Sequence, residues 1–234
     1  MEIVLCATRA VYPQLKTMML MLHETQPQLH IYAIIEDNEL EDLDYVTYIN
    51  IKNYPKVYKN RANSEVPWTY MCFARCYLPE ILPDVSKVLY LDLDLWIEQD
   101  ISELWNIDIT NYAIAAAVDV NVRKFYLPYI PNINVYINSG VLLMNLDYMR
   151  EHNMVEQFHK LLNTWKLAFP DQDVLNRVCY GAVKYLSHKW NSGVLCGEHP
   201  SPMITHHSTI KPWDIKNPIF RKWVELYLRA NPQT

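Results

Sequence analysis

Asp92 and Asp94 stand two residues apart where a continuous apolar run, Lys87-Val88-Leu89-Tyr90-Leu91, is due to end. Side chains alternate along a strand with period 2, so acids at this spacing point the same way and can grip one cation together. Burying unpaired carboxylates is costly unless a cation or a hydrogen-bond network receives them. The segment around them is apolar enough for a buried central strand, which favours a metal site. The pattern Asp-x-Asp occurs three times, however, again at Asp42-Leu43-Asp44 and Asp171-Gln172-Asp173. Context therefore carries the signal. At 42–44 the acids belong to a polar run, Glu36 to Asp44, and read as solvated surface. At 171–173 they follow Pro170 at a helix start, where acids cap the helix or meet its dipole favourably; capping and a site role are both open there.

Other residues suited to chemistry lie far along the chain. His206-His207 follow a short apolar stretch, and Lys211 comes just after. Two carboxylates with one imidazole make a mixed oxygen and nitrogen donor set, which suits Mn²⁺ or Mg²⁺ better than zinc. Such an ion beside a separate lysine is what a diphosphate needs. The ion clamps phosphate oxygens and neutralises charge as the diphosphate leaves, and Lys211 adds a point charge. The implied chemistry is displacement of a nucleoside diphosphate from an activated group. Arg75, among Phe73, Ala74, Cys76 and Tyr77, reads equally as a surface ion-pair partner or as a half-buried cation aimed at the site. A second apolar strand, Tyr112 to Val118, also ends in an acid, Asp119.

The elements that must position these groups alternate in type. Glu2 to Ala7, Leu29 to Ile35, Tyr45 to Ile51, Lys87 to Leu91, Tyr112 to Val118 and Val141 to Asn145 read as strands. Helices are expected after Pro13, over Trp68 to Tyr77 ended by Pro79 and Pro83, over Asn153 to Phe169, and over Ile219 to Arg229. In the third of these Val155, Phe158, Leu162 and Trp165 share one face; in the last, Phe220, Trp223, Val224, Tyr227 and Leu228 do. This alternation predicts an α/β sheet whose binding crevice lies beyond the carboxyl ends of its strands. The segments Lys52 to Pro67 and Phe125 to Val135 read as loops near the site. Tyr54, Tyr58, Tyr126 and Tyr129 suit stacking on sugars, and ordinary loop packing explains them equally well. Met203 to His206 is expected to bring the two histidines to the edge of the sheet.

Composition narrows the class. The chain has 234 residues with no linker-like break, so one domain over 1–234 is expected. A net charge of −5 argues against a nucleic-acid binder. The lack of an apolar run of about eighteen residues and of a basic leader predicts a cytoplasmic protein with no transmembrane segment. The five cysteines are scattered and form no C-x-x-C pair, which predicts reduced thiols rather than a zinc knuckle or a disulfide framework. With only four glycines, the chain holds no Gly-rich phosphate loop. Any phosphate bound here is held by metal and cations.

Five segments, in order, resemble the retaining glycosyltransferases of family 8, the group containing glycogenin and the bacterial lipooligosaccharide galactosyltransferases. They are Phe73-Ala74-Arg75, Lys87 to Asp94, Tyr136 to Leu146, Asp171 to Asn176, and Lys211-Pro212-Trp213. The resemblance implies a GT-A fold, a mostly parallel central sheet flanked by helices with a Rossmann-like nucleotide-binding half. It implies transfer of a hexose from a UDP-sugar to a glycan or other hydroxyl acceptor, with Mn²⁺ (or Mg²⁺) and retention of anomeric configuration. Asp92, Asp94 and His206 would be the metal ligands. Ala7, Thr8, Tyr12, Arg75, Asp92, Leu93 and Lys211 would contact the nucleotide sugar. Asp119, Asn138, Asp171 and Gln172 would line the reaction centre.

The sequence departs from the family pattern in two places. Acidic and amide residues usually follow the first strand and hold the base, whereas Ala7-Thr8-Arg9-Ala10-Val11-Tyr12 stands here. The metal histidine usually lies six residues before the lysine of Lys-Pro-Trp, whereas position 205 is Thr; His206 lies five before and His207 four before. Both histidines are candidates, with His206 preferred as nearer the usual place. Front-face displacement and double displacement through Asp171 or Gln172 are both open, the first preferred because a neutral amide is a poor nucleophile. Two rival readings are a non-catalytic sugar-nucleotide or glycan-binding relative, and a nucleotidyltransferase of related fold.

Overall fold

The computed structural model describes residues 1–26, 28–37, 42–58, 70–125 and 133–232. In chain order the elements are β1 (Glu2–Cys6), α1 (Tyr12–Thr25), β2 (His30–Ile35), β3 (Val46–Asn50), α2 (Pro55–Tyr58), α3 (Ala74–Ile81), β4 (Lys87–Leu91), β5 (Leu95–Ile97), α4 (Ser102–Trp105), β6 (Ile114–Ala117), α5 (Val120–Phe125), β7 (Val141–Asn145), α6 (Leu146–Glu151), α7 (Met154–Thr164), α8 (Pro170–Val178), β8 (Val183–Leu186), β9 (Ile204–His206) and α9 (Phe220–Ala230).

Seven strands form one sheet in the order β3-β2-β1-β4-β7-β6-β8, and β5 pairs with β9 in a separate two-stranded ribbon. Within the large sheet every pairing is parallel except the two made by β7, which runs against both β4 and β6. Helices cover both faces, so the central strands are apolar throughout rather than alternating. Val4, Val88, Tyr90, Leu142 and Met144 face a core shared with α3, α6, α7 and α8. Their strand neighbours Ile3, Leu5, Leu89, Leu91, Val141 and Leu143 face the opposite core with Leu15, Met18, Met19 and Leu22 of α1 and Trp223 and Leu226 of α9.

Several sequence expectations are corrected. Helix α3 begins at Ala74 after a 3₁₀ turn, Tyr70–Phe73, and runs through Pro79 to Ile81. Pro79 has no N–H to give the carbonyl four residues back. Arg150 donates to the carbonyls of Pro79 in the last turn, of Leu82 at the cap and of Val85 beyond it, at 3.0, 3.2 and 2.7 Å, satisfying groups left open where the helix ends. Helix α7 stops at Thr164, so Trp165 is 46% exposed and lies under the Arg177 guanidinium instead of facing the core. On α9 the buried residues are Trp223 and Leu226, while Leu228 points outward. Strand β8 was not expected: it is a four-residue edge strand on β6 in which only Leu186 is buried. Most of Lys52 to Pro67 and of Phe125 to Val135, including Tyr126 and Tyr129, lies outside the described residues, as does the side chain of Tyr58.

Candidate active site

The carboxyl ends of β1, β4 and β6 meet at one end of the sheet, and the segment Tyr136 to Gly140 arrives there to start the antiparallel β7. A cavity of about 320 Å³ opens at this point, walled among others by Arg75, Asp92, Asp94, Asp119, Asn138, Asp171, Gln172, His206 and Lys211. Residues from six distant stretches of chain thus face one space.

One wall is a cation seat. Ligand atoms of Asp92, Asp94 and His206 lie within 4.8 Å of one another. The two acids do not belong to a strand, as their spacing suggested; residues 92–94 form a turn between β4 and β5. The turn is anchored by Asp92 N–H donating to the Gly140 carbonyl (2.9 Å) and by His207 N–H donating to the Asp94 carbonyl (2.9 Å). His206 arrives on the β5–β9 ribbon opposite Leu95, not on the edge of the main sheet as expected. Alternation sends the two histidines apart. His206 Nε2 lies 3.3 Å from Asp94 Oδ1, whereas His207 Nδ1 meets the Asn217 amide at 2.9 Å. Asp94 Oδ1 is buried without a hydrogen-bond partner, and Lys211 Nζ donates to Oδ2 at 2.6 Å. Burial works against ionisation of Asp94, but His206 and Lys211 outweigh it and hold its carboxyl far below the usual range.

The donor set fits a hard divalent cation. An orphaned buried carboxylate oxygen faces a second carboxylate and an imidazole. The backbone makes room for them: a Cβ on Gly140 would lie 2.3 Å from His206 Cε1 and 3.0 Å from Asp92 Oδ2. Gly193 serves the same purpose behind the ribbon, where a Cβ would meet the His206 carbonyl oxygen at 2.3 Å.

Arg75 links this wall to the next. Its side chain is 5% exposed, so the surface ion-pair reading does not apply. It donates to Asp92 Oδ1 (2.9 Å) and to the Ser139 carbonyl (2.6 Å), lies 3.4 Å from Asp171 Oδ2, and packs over the Tyr90 ring. Tyr90 hydroxyl donates to the same Asp92 oxygen at 2.9 Å. Burial works against the Arg75 charge; Asp92, Tyr90 and Asp171 more than restore it, and its pKa rises further above the guanidinium range.

The second wall is acidic and fully hydrogen-bonded. Asp119 is completely buried, accepts from Val122 N–H (2.9 Å) and Asn138 Nδ2 (3.2 Å), and lies 3.5 Å from Gln172 Nε2. Gln172 Oε1 accepts from Ser139 N–H at 2.9 Å, and Ser139 hydroxyl donates to Asp171 Oδ2 at 3.1 Å. The third Asp-x-Asp divides its duties. Asp171 faces the cavity, whereas Asp173 turns back to accept from the Ala168 and Phe169 N–H groups and from Tyr136 hydroxyl at 3.1, 3.0 and 2.6 Å.

Residues 13–216 match the family model for glycosyl transferase family 8. The chain belongs to this family. Among its relatives, a Haemophilus influenzae protein provisionally named a glycosyltransferase is 34% identical over 125 residues, 51% of this chain and 38% of its own length. Glycosyltransferase GlyB of Streptococcus pneumoniae is 26% identical over 212 residues, 78% of this chain and 50% of its own length. The chain thus spans half or less of the length of these curated relatives. A crystal structure of the galactosyltransferase LgtC with donor and acceptor sugar analogues superposes with a TM-score of 0.79 at 21% identity, covering 97% of this chain and 95% of that one. The fold is of GT-A type.

In this family 8 chain a second cavity, about 370 Å³, adjoins the first through Cys72, Arg75, Asp92, Asp94 and Lys211 and is closed by Cys6, Thr8, Val11, Leu93 and Trp213, among others. Thr8 and Leu93 of the expected nucleotide contacts are in its wall. Ala7 and Tyr12 are not: Ala7 is buried, and the Tyr12 hydroxyl accepts from the Glu36 and Asp37 N–H groups at 2.9 and 3.1 Å. Desolvation pushes the Cys6 thiol up to about 12, so it stays protonated at neutral pH; all five cysteines are free. Sequence reading missed Tyr90, Ser139 and Asn191. Tyr90 looked like ordinary strand core, and Ser139 and Asn191 stand among other small or polar residues with nothing in their spacing to single them out. No helix of the described residues is long and apolar enough to cross a membrane.

Proposed function

We propose that this chain is a metal-dependent, retaining hexosyltransferase that moves a sugar from a UDP-sugar to a glycan, lipid or protein hydroxyl, with residues 1–234 acting as one domain. The observation that carries this reading is the orphaned Asp94 Oδ1 facing Asp92 and His206, with Lys211 and Arg75 flanking the same cavity. Asp92, Asp94 and His206 would hold Mn²⁺ or Mg²⁺. When bound, the ion supplies charge neutralisation to the departing diphosphate. Lys211 adds a mobile ammonium on one side of that group and Arg75 a fixed guanidinium on the other. The nucleoside would occupy the second cavity, beside Thr8 and Leu93. The free thiols support a reducing compartment, hence a cytoplasmic site of action.

The sugar would lie against the acid wall. Asp119 and Asp171 face positive charge developing at the anomeric carbon, held in place by Asn138, Gln172 and Ser139 before any substrate arrives. Gln172 is an uncharged amide whose oxygen already accepts from Ser139, and Asp171 is tied to Ser139 and Arg75. Neither is a free nucleophile. This supports front-face displacement, in which the C1–O bond to the diphosphate breaks, the acceptor oxygen bonds to C1 on the same face, and the leaving phosphate oxygen takes the acceptor proton. The test is to incubate the protein with UDP-glucose, UDP-galactose, UDP-GlcNAc and the GDP counterparts, with Mn²⁺ or EDTA. Mn²⁺-dependent release of UDP is expected, with product anomeric configuration matching the donor by proton NMR. Absence of Mn²⁺-dependent turnover or binding with every donor would sink the reading.

A further inference from the structure

Asn191 sits outside every role assigned above. It follows a 3₁₀ turn, His188–Trp190, after β8, is completely buried, and is not on the cavity surface. Its side chain bridges the two walls. Asn191 Nδ2 donates to Asn138 Oδ1 at 3.0 Å, and Asn191 Oδ1 lies 2.9 Å from His206 Nδ1.

The direction of this chain of bonds is fixed from one end. Gly140 N–H, a backbone group that can only donate, points at Asn138 Oδ1 at 2.9 Å. That atom is therefore the oxygen of the Asn138 amide, and its Nδ2 is left to donate to Asp119. An oxygen at Asn138 requires a donor opposite, so Asn191 presents its nitrogen there and its oxygen to His206. The Cys196 thiol, donating to the same Asn191 oxygen at 3.3 Å, agrees with this orientation. An amide oxygen only accepts, so the neutral His206 ring must carry its proton on Nδ1. Its lone pair then sits on Nε2, the nitrogen that faces Asp94.

We infer that Asn191 is a positioning residue that fixes the tautomer and ring angle of His206, so that Nε2 offers its lone pair to the cation, and that it ties this ligand to the acid wall through Asn138. The inference rests on the metal reading above for its purpose, though not for its geometry. Outer partners of this kind orient metal-binding imidazoles, and losing one typically weakens metal affinity about 10- to 100-fold.

The test uses the whole chain labelled with ¹⁵N-histidine, with the His206 signals assigned by their loss in His206→Gln. Spectra are taken without metal over a rising pH series, and the tautomer is read where the ring signals of the neutral form no longer move with pH. Wild type should show the pattern of a proton on Nδ1. Asn191→Leu should shift it toward the other tautomer or a mixture, and Mn²⁺ affinity measured by electron paramagnetic resonance should fall about 10- to 100-fold. Asn191→Asp keeps an acceptor for Nδ1–H but loses the donor to Asn138, so it should keep the tautomer while breaking the tie to the acid wall, which also guards against a misfolded leucine variant. Unchanged nitrogen shifts in Asn191→Leu, or a wild type protonated on Nε2, would overturn the inference whatever the metal does. A wild type with the expected tautomer but no Mn²⁺ binding would instead overturn the metal reading of the site.

Discussion

Asp42-Leu43-Asp44 and Asp92-Leu93-Asp94 are the same three letters with opposite fates. The first pair is exposed in the connection before β3, its carboxylates free to stay in water. The second terminates β4, a strand flanked on both sides within the sheet, and is folded under by the β5–β9 ribbon and the start of β7. Asp94 is left 8% exposed. The chemistry of the pair therefore comes from the company it is forced into. A strand end in mid-sheet leaves the acids nowhere to go except toward each other, His206, Lys211 and Arg75. The third pair shows the intermediate case, in which one acid faces the cavity and the other anchors its helix.

The widest separation is expected in activity. Asp94→Asn should lower Mn²⁺-dependent UDP release about 100-fold or more, since it removes one charged ligand from a preorganised site. The double change Asp42→Asn with Asp44→Asn should leave the rate unaltered. Equal losses from both would mean that burial at the end of β4 gives the second pair no special standing. Next in size is Gly140→Ala. The backbone there tolerates alanine, but the new methyl would lie 2.3 Å from His206 Cε1. The ring must move. Mn²⁺ affinity by calorimetry should drop about 10- to 100-fold, and urea unfolding should show a loss of about 1–3 kcal/mol from overpacking.

How much of this could be read beforehand follows from how local each signal is. The strands Lys87 to Leu91 and Val141 to Asn145 and the face Leu15, Met18, Met19, Leu22 were legible because burial on both sides of a sheet imposes continuous apolar runs or helical spacing. Edge strand β8 was not, since Val183, Lys184 and Tyr185 remain partly exposed and imprint no pattern. Nor was Trp165, whose helix ends early while its ring finds Arg177. At the site, five segments far apart in sequence do wall one cavity. Their order in a recognisable family, not their periodicity, joined them. The turn at 92–94 reached the expected convergence by another geometry. The Asn138–Asn191–His206 bridge is invisible from the sequence because its meaning lies in which amide end faces which neighbour.

A smaller effect should separate the two acids of the third pair. Asp171→Asn leaves the Ser139 contact possible but removes charge beside Arg75 and the reaction centre, so activity should fall with little change in stability. Asp173→Asn removes a charged acceptor shared by two backbone N–H groups and the Tyr136 hydroxyl. It should cost about 1–3 kcal/mol in urea unfolding, with the rate per folded molecule retained. If the two variants exchange these phenotypes, the division of labour within α8 is misassigned.

The smallest expected change tests the exposed pair on its own terms. Asp42→Ala should alter unfolding free energy by no more than about 0.5 kcal/mol, the usual range for a surface position without buried partners. Asp94→Ala should exceed it by several-fold even with no metal present. Lys211 and Arg75 were brought close to the turn by their carboxylate partners, and removing Asp94 leaves the Lys211 ammonium without its 2.6 Å acceptor and His206 facing a void. An aspartate that binds only when a ligand arrives would leave the apo protein indifferent to its loss. One that is already neutralised by its neighbours would not. Urea midpoints of the two variants, measured in EDTA, therefore ask whether the Asp92-Leu93-Asp94 turn is built as part of the fold or merely waits on its surface.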